Sequence, residues 1–163
     1  MFISVITASD RCSKKLCEDK SGKLISEMLA PYAETKEYVI VPDEKEEIKR
    51  ELVRLSDEVK SDIIFTTGGT GFAPRDVTPE ATREVIEKET PGISEAIRAQ
   101  SLEITPMAML SRATSGIRGK TLIINLPGSP KAVMESLAVV IPVLNHAVET
   151  MSGNTQSCGK DVK

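Results

Sequence analysis

Short apolar runs alternate along this chain with longer stretches in which apolar residues recur every three or four positions. "FISVITAS" (2–9) reads as a β-branched strand, and "KLISEMLAPY" (23–32) places Leu24, Ile25, Met28 and Leu29 on one helical face. "KEYVIVP" (36–42) is a second strand. "DEKEEIKRELVRLSDEV" (43–59) is an amphipathic helix with Ile48, Leu52, Leu55 and Val59 inward and its charges outward. "DIIFTT" (62–67) is a fully apolar strand of the kind buried in parallel sheets. A helix from about Pro79 to Lys88, another over "GISEAIRAQSL", a fourth strand in "GKTLIINLPGS" and a closing helix over "PKAVMESLAVVIPVLNHAVETM" complete the pattern. Pro142 is expected to kink that last helix or to end its first part.

Strand-helix alternation of this kind predicts a single-domain α/β fold, a three-layer sandwich with a mainly parallel sheet. The domain is expected over residues 1–152, with the polar stretch 153–163 as a loose tail. At 163 residues the chain suffices for one proper core. No apolar run stands out as a membrane span, and nothing resembles a signal peptide, so a cytoplasmic location without membrane contact is expected. Cys12, Cys17 and Cys158 lack metal-ligand spacing and are read as reduced thiols. A net charge of −3 and the absence of Trp argue against nucleic-acid binding.

In such a sheet, ligands bind where strands run into helix N-termini. "FTTGGTGFAPRDVTPEAT" (65–82) places Gly68, Gly69, Thr70 and Gly71 directly after a strand, and Thr78-Pro79-Glu80 reads as the cap and first turn of the next helix. Free N–H groups over the glycines suit a phosphate, although a sharp turn alone would also explain them. It is neither a Walker loop nor a Rossmann fingerprint. "NLPGSPKAV" repeats the arrangement with Pro127, Gly128 and Ser129, and Arg75, Arg112, Arg118 and Lys120 nearby hint at a polyanion. Asp43 is either the cap of its helix, with Glu46 completing a capping box, or a carboxylate at the cleft rim. Asp76 either ties down a turn or holds Mg²⁺ against phosphates. His146, alone in the last helix, reads as packing or surface.

"TTGGTGFAPRDVTPEAT", "LPGSPKAV", "ITASDRCS…EDKSG" and "MLSRATSGIRGKTLIINLPGSPKA" together resemble the MogA/MoaB family of molybdenum-cofactor biosynthesis proteins, over about residues 2 to 150. The resemblance implies adenylylation of molybdopterin: the pterin's terminal phosphate attacks the α-phosphate of Mg-ATP and pyrophosphate leaves. It implies catalytic and Mg²⁺-holding roles for Asp43 and Asp76. It also implies a substrate site of Ser9, Asp10, Gly68, Gly69, Thr70, Gly71, Glu80, Pro127, Gly128 and Ser129. Further implied are a homotrimer or homohexamer and contact with a MoeA-like metal-insertion protein. The alternative within the resemblance is a non-catalytic, MoaB-like molybdopterin-binding scaffold.

Overall fold

The computed structural model describes residues 1–153. One sheet has strands β1 (Phe2–Ala8), β2 (Glu34–Val41), β3 (Ile63–Thr67), β4 (Lys88–Glu89), β5 (Ser115–Arg118) and β6 (Thr121–Leu126), in the order β2-β1-β3-β6-β5-β4. The first four in that order run parallel, while β5 and β4 are antiparallel additions at one edge. The four expected strands are therefore present and joined by two more. Neither addition announces itself in the sequence, because "SGIR" and "KE" carry a single apolar side chain between them.

The inner parallel strands β1, β3 and β6 are buried at nearly every position because both faces are covered, whereas β2 at the edge alternates between exposed and half-buried residues over most of its length. Ile3, Val5, Ile63, Phe65, Leu122 and Ile124 point to one side, against α2 (Lys20–Leu29), α5 (Pro91–Leu102) and α6 (Pro130–Met151). Ile6, Ile64 and Ile123 point to the other, against α3 (Lys45–Asp57) and α4 (Thr78–Val85). In α3, Ile48, Leu52 and Leu55 fill the core at helical spacing, and the outer face carries the Glu46–Lys49, Glu47–Arg50 and Glu51–Arg54 pairs. Phe65 is wholly buried at the centre of the first layer. Phe65→Ala should cost about 3–5 kcal/mol in urea unfolding, from lost transfer energy plus the cavity left behind.

The boundaries of α2 and α4 differ from expectation, while those of α6 agree with it. Helix α2 begins at Lys20, because the Asp19 carboxylate accepts the Gly22 N–H at 3.0 Å and so caps it earlier. Helix α4 ends at Val85, since Ile86 turns extended and the Glu87 N–H donates to the Ile117 carbonyl of β5. Helix α6 runs unbroken through Pro142. By length and apolar composition α6 would suffice to cross a membrane, which the sequence reading passed over. Here Val133, Leu137, Val140 and Leu144 pack into the first core layer instead.

Candidate active site

The register brings the C-terminal ends of the parallel strands level: Ala8 pairs with Val41, Thr7 with Thr67, and Thr67 with Leu126. Loops beginning at Ser9, Pro42, Gly68 and Pro127 therefore open along one sheet edge, as expected. The Thr67 hydroxyl donates to the Pro127 carbonyl at 2.7 Å, and Ser21 donates to the Gly128 carbonyl at 2.7 Å. A Cβ on Gly128 would stand 3.4 Å from the Gly68 Cα, so the two loops are nearly in backbone contact.

Gly68 and Gly69 both adopt left-handed backbone, with φ of +93° and +64°. Thr78, wholly buried at the start of α4, closes the loop. Its N–H donates to the Gly69 carbonyl at 3.1 Å, and its hydroxyl to the Gly68 carbonyl at 2.9 Å. The expected capping by Thr78 is not seen, because the hydroxyl is engaged in this closure and α4 already includes Thr78.

Carboxylates gather around the glycines. Asp43 Oδ1 lies 3.3 Å from where a Gly69 Cβ would be, and Asp76 Oδ2 lies 2.9 Å from a Gly71 Cβ. The Asp10 N–H donates to Asp43 Oδ2 at 2.8 Å, and the Asp43 N–H to Asp10 Oδ1 at 3.2 Å. Asp43 therefore does not cap α3, whose flanking residue is Glu44 without a side-chain bond. Instead it caps the short helix α1 (Asp10–Ser13), thirty-three residues away in sequence. Its Oδ1 has no hydrogen bond among the described residues. Asp76 accepts the Ala73 N–H on Oδ2 at 2.9 Å, which is a turn-tying role, and its Oδ1 is likewise free there.

Arg75 reaches across this cluster to Asp10, at 2.8 and 3.0 Å, and to Glu44 at 2.7 Å. The Arg75 hydrogen bonds hold the Asp10 carboxyl below its ordinary range. Asp43 goes the other way. Burial pushes its carboxyl up from the ordinary 3.8, the charges of Asp10 and Asp76 add to this, and the Asp10 N–H and Arg75 oppose it. The folded chain thus holds the Asp43 proton more tightly than the unfolded chain. Native stability from this group is fully present below the ordinary value and is lost as pH rises through the raised one. Asp43→Asn should accordingly be neutral to stabilising at about pH 7, with the gain fading towards about pH 4. Urea unfolding of both proteins at several pH values checks this, and a large loss of stability at neutral pH would contradict it.

Two cavities flank the glycine loop. One of about 380 Å³ is lined by Thr7, Ser9, Asp19, Ser21, Gly68 and Gly128. The other, about 280 Å³ and more apolar, is lined by Thr70, Gly71, Met107, Leu110, Ala113 and Pro127. The family model described as the probable molybdopterin binding domain matches residues 4–146. A molybdopterin adenylyltransferase of Helicobacter pylori (strain J99) is 48% identical, over 94% of this chain and 89% of its own. The Escherichia coli K12 protein of the same name is 42% identical, over 83% and 71%. The crystal structure of the molybdopterin biosynthesis enzyme MoaB from Thermus thermophilus superposes with a TM-score of 0.88 at 47% identity, covering 93% of this chain and 96% of that one. The chain belongs to the MogA/MoaB family.

For a MogA/MoaB protein, the edge of the sheet gathers almost all of the expected residues, but several already have work. Ser9 caps α1 by accepting the Cys12 N–H at 3.2 Å, and Ser129 caps α6 by accepting the Ala132 N–H at 3.3 Å. Glu80 is paired with Arg112, with Arg83 at 3.7 Å. Arg118 and Lys120 are not in the cluster. Arg118 pairs in register with Thr121 at the opposite end of β6, where it binds Asp57 at 2.6 and 3.0 Å. His146 is exposed on α6, as read.

The reduced-thiol reading is corrected for two of the cysteines. The turn of α1 and the left-handed Lys15 bring Cys12 and Cys17 to a Cα separation of 4.8 Å, where they form a disulfide. Cys158 and the expected tail beyond residue 153 lie outside the described residues.

Sequence reasoning also missed Asp19, a buried carboxylate that accepts from Thr7 at 2.5 Å and from the Tyr38 hydroxyl at the floor of the first cavity. An acid one residue before a helix start, with Gly three positions on, was the available signal.

Proposed function

We propose that this chain adenylylates molybdopterin with ATP. The observation that carries this is the disposition of Asp43 and Asp76. Both are carried on strand-end loops of one edge, both stand beside glycines of the loop, and each has one carboxylate oxygen without a partner among the described residues. A scaffold that only bound an anionic pterin would gain nothing from these two carboxylates beside its phosphate loop, since they repel the ligand.

In the proposed reaction an oxygen of the pterin's terminal phosphate forms a bond to the α-phosphorus of ATP. The bond from that phosphorus to the bridging oxygen breaks, and pyrophosphate leaves with the electron pair. The nucleophile belongs to the substrate, so the chain supplies position and charge balance rather than a covalent intermediate. The N–H groups of the half-buried glycines Gly68, Gly69 and Gly71 donate to phosphate oxygens. Arg75, exposed and shared between Asp10 and Glu44, lies within the same loop cluster and offsets part of its carboxylate charge. The cavity floor near Thr7, Asp19 and Ser21 and the apolar cavity near Met107 and Leu110 accommodate the rest of the substrates.

The donor set fits Mg²⁺. No group of three or more metal-ligating side chains occurs among the described residues, but Mg²⁺ is commonly held by one or two carboxylates together with substrate phosphates and water. Asp43 and Asp76 would hold it through their free oxygens, and when bound it would neutralise charge developing on the phosphates. A homotrimer or homohexamer, contact with a MoeA-like metal-insertion protein and a cytoplasmic location remain part of the same reading. The test is purified protein with molybdopterin and Mg-ATP, assayed for pyrophosphate. Stoichiometric or catalytic release supports the reading. Tight molybdopterin binding without release would leave a non-catalytic binder.

A further inference from the structure

We propose that Arg112 is a positioning residue that sets the place of Asp76 by clamping the glycine loop, a role that rests on the adenylylation reading above. Arg112 precedes β5 and lies some forty positions from the loop in sequence, yet most of its donors point into that loop. Its backbone N–H donates to the Thr70 carbonyl at 2.9 Å. Its Nε donates to the Gly71 carbonyl at 2.7 Å, and one terminal nitrogen to the Asp76 carbonyl at 2.5 Å. The other terminal nitrogen binds Glu80 in the first turn of α4. One residue thus fixes both ends of segment 70–76 and the helix that follows it.

Three features argue that this is positioning rather than ligand binding. The guanidinium charge is already balanced by Glu80, so little of it is offered to a phosphate. Its directed donors are taken by backbone carbonyls and Glu80, a use for which the rigid planar fork suits Arg and the single ammonium of Lys does not. The mount is itself braced: the Ala113 carbonyl accepts from Arg98 at 2.7 Å, and the Thr114 N–H donates to the buried Asn125 at 3.2 Å. Without the clamp, segment 71–76 would retain the bonds of Ala73 to Asp76 and of Arg75 to Asp10 and Glu44, all at exposed positions. Asp76 would then sample positions displaced from the phosphate site.

The experiment uses full-length Arg112→Gln and Arg112→Lys with two readouts. The first is amide exchange at Asp76 and Thr78, whose N–H groups donate within the loop to Ala73 and Gly69. In both variants these amides should exchange about tenfold faster or more, while β1 and β3 exchange as in the wild type. The second readout is pyrophosphate release, in which kcat should fall by about tenfold or more with the molybdopterin KM changed by less than about twofold. Unchanged exchange at Asp76 and Thr78 would overturn the clamp. Faster exchange with unchanged kcat would overturn its link to Asp76, and wild-type behaviour of Arg112→Lys in both readouts would overturn the need for the fork. A uniform loosening of β1 and β3 in Arg112→Lys would make the residue a general stability element and also overturn the proposal. If the wild type releases no pyrophosphate, the adenylylation reading fails, whereas the exchange readout still decides the clamp.

Discussion

Asp76→Asn should leave the protein folded and still able to bind molybdopterin, yet lower pyrophosphate release by about 10²-fold or more, a transition-state loss of about 3 kcal/mol. Asn keeps an oxygen able to accept the Ala73 N–H, so the turn at 73–76 survives the change. Asp76 is half-exposed and makes no ion pair among the described residues, which places the stability effect within about 0.5 kcal/mol. What disappears is the negative charge on the free oxygen. Turnover should therefore fall without a matching fall in Tm or in affinity for molybdopterin alone. Near-normal turnover in Asp76→Asn would remove Asp76 from the reaction and reduce it to a turn residue.

Gly68→Ala is the second large effect, and it should act on the fold as well as on the site. A Cβ there would meet the Ala8 backbone carbonyl oxygen well inside contact distance, and φ is +93°. The left-handed strain and the overpacking together should cost about 2–5 kcal/mol, since a strand backbone cannot rotate away as a side chain can. Gly69→Ala should cost less in stability. Its Cβ would meet the Asp43 carboxylate at 3.3 Å, an end that can move, and the Thr78 hydroxyl at 2.5 Å, which can turn away only by giving up its bond to the Gly68 carbonyl. The same displacement would disturb Asp43 and block the approach of a phosphate. Gly119, with φ of +56° and open space around it, serves as the control and should show only the backbone strain of about 1 kcal/mol. Urea unfolding should rank the losses Gly68, then Gly69, then Gly119. A Gly68→Ala protein as stable as Gly119→Ala would show that the close approach to Ala8 is not a constraint.

The parallel core was legible because the physics that buries it acts on neighbouring residues. Ile63, Ile64 and Phe65 are apolar in succession since both sheet faces are covered, and Ile48, Leu52 and Leu55 keep a helical period since α3 is covered on one. The glycine loop was legible for the same local reason, as left-handed backbone demands glycine at Gly68 and Gly69. What the sequence hid is pairing at long range. Nothing near Asp43 shows that its carboxylate serves the Asp10 N–H rather than its own helix. Nothing near Arg112 shows that its donors reach Gly71 and Asp76 while Arg118, a few residues on, faces the opposite edge. The disulfide likewise depends on the turn between Cys12 and Cys17, which spacing alone does not specify.

The hydrogen bond from Thr67 to Pro127 joins strand ends sixty positions apart, with β5 and its connections lying between them. Closing so long a stretch costs entropy before any contact repays it, so adjacent pairing of β3 and β6 belongs to the slow steps of folding. The glycine loop and the Pro127 turn cannot face each other until that pairing exists. In a growing chain the two loops therefore come to face each other only when the sheet is finished, so the cleft between them is among the last features to form.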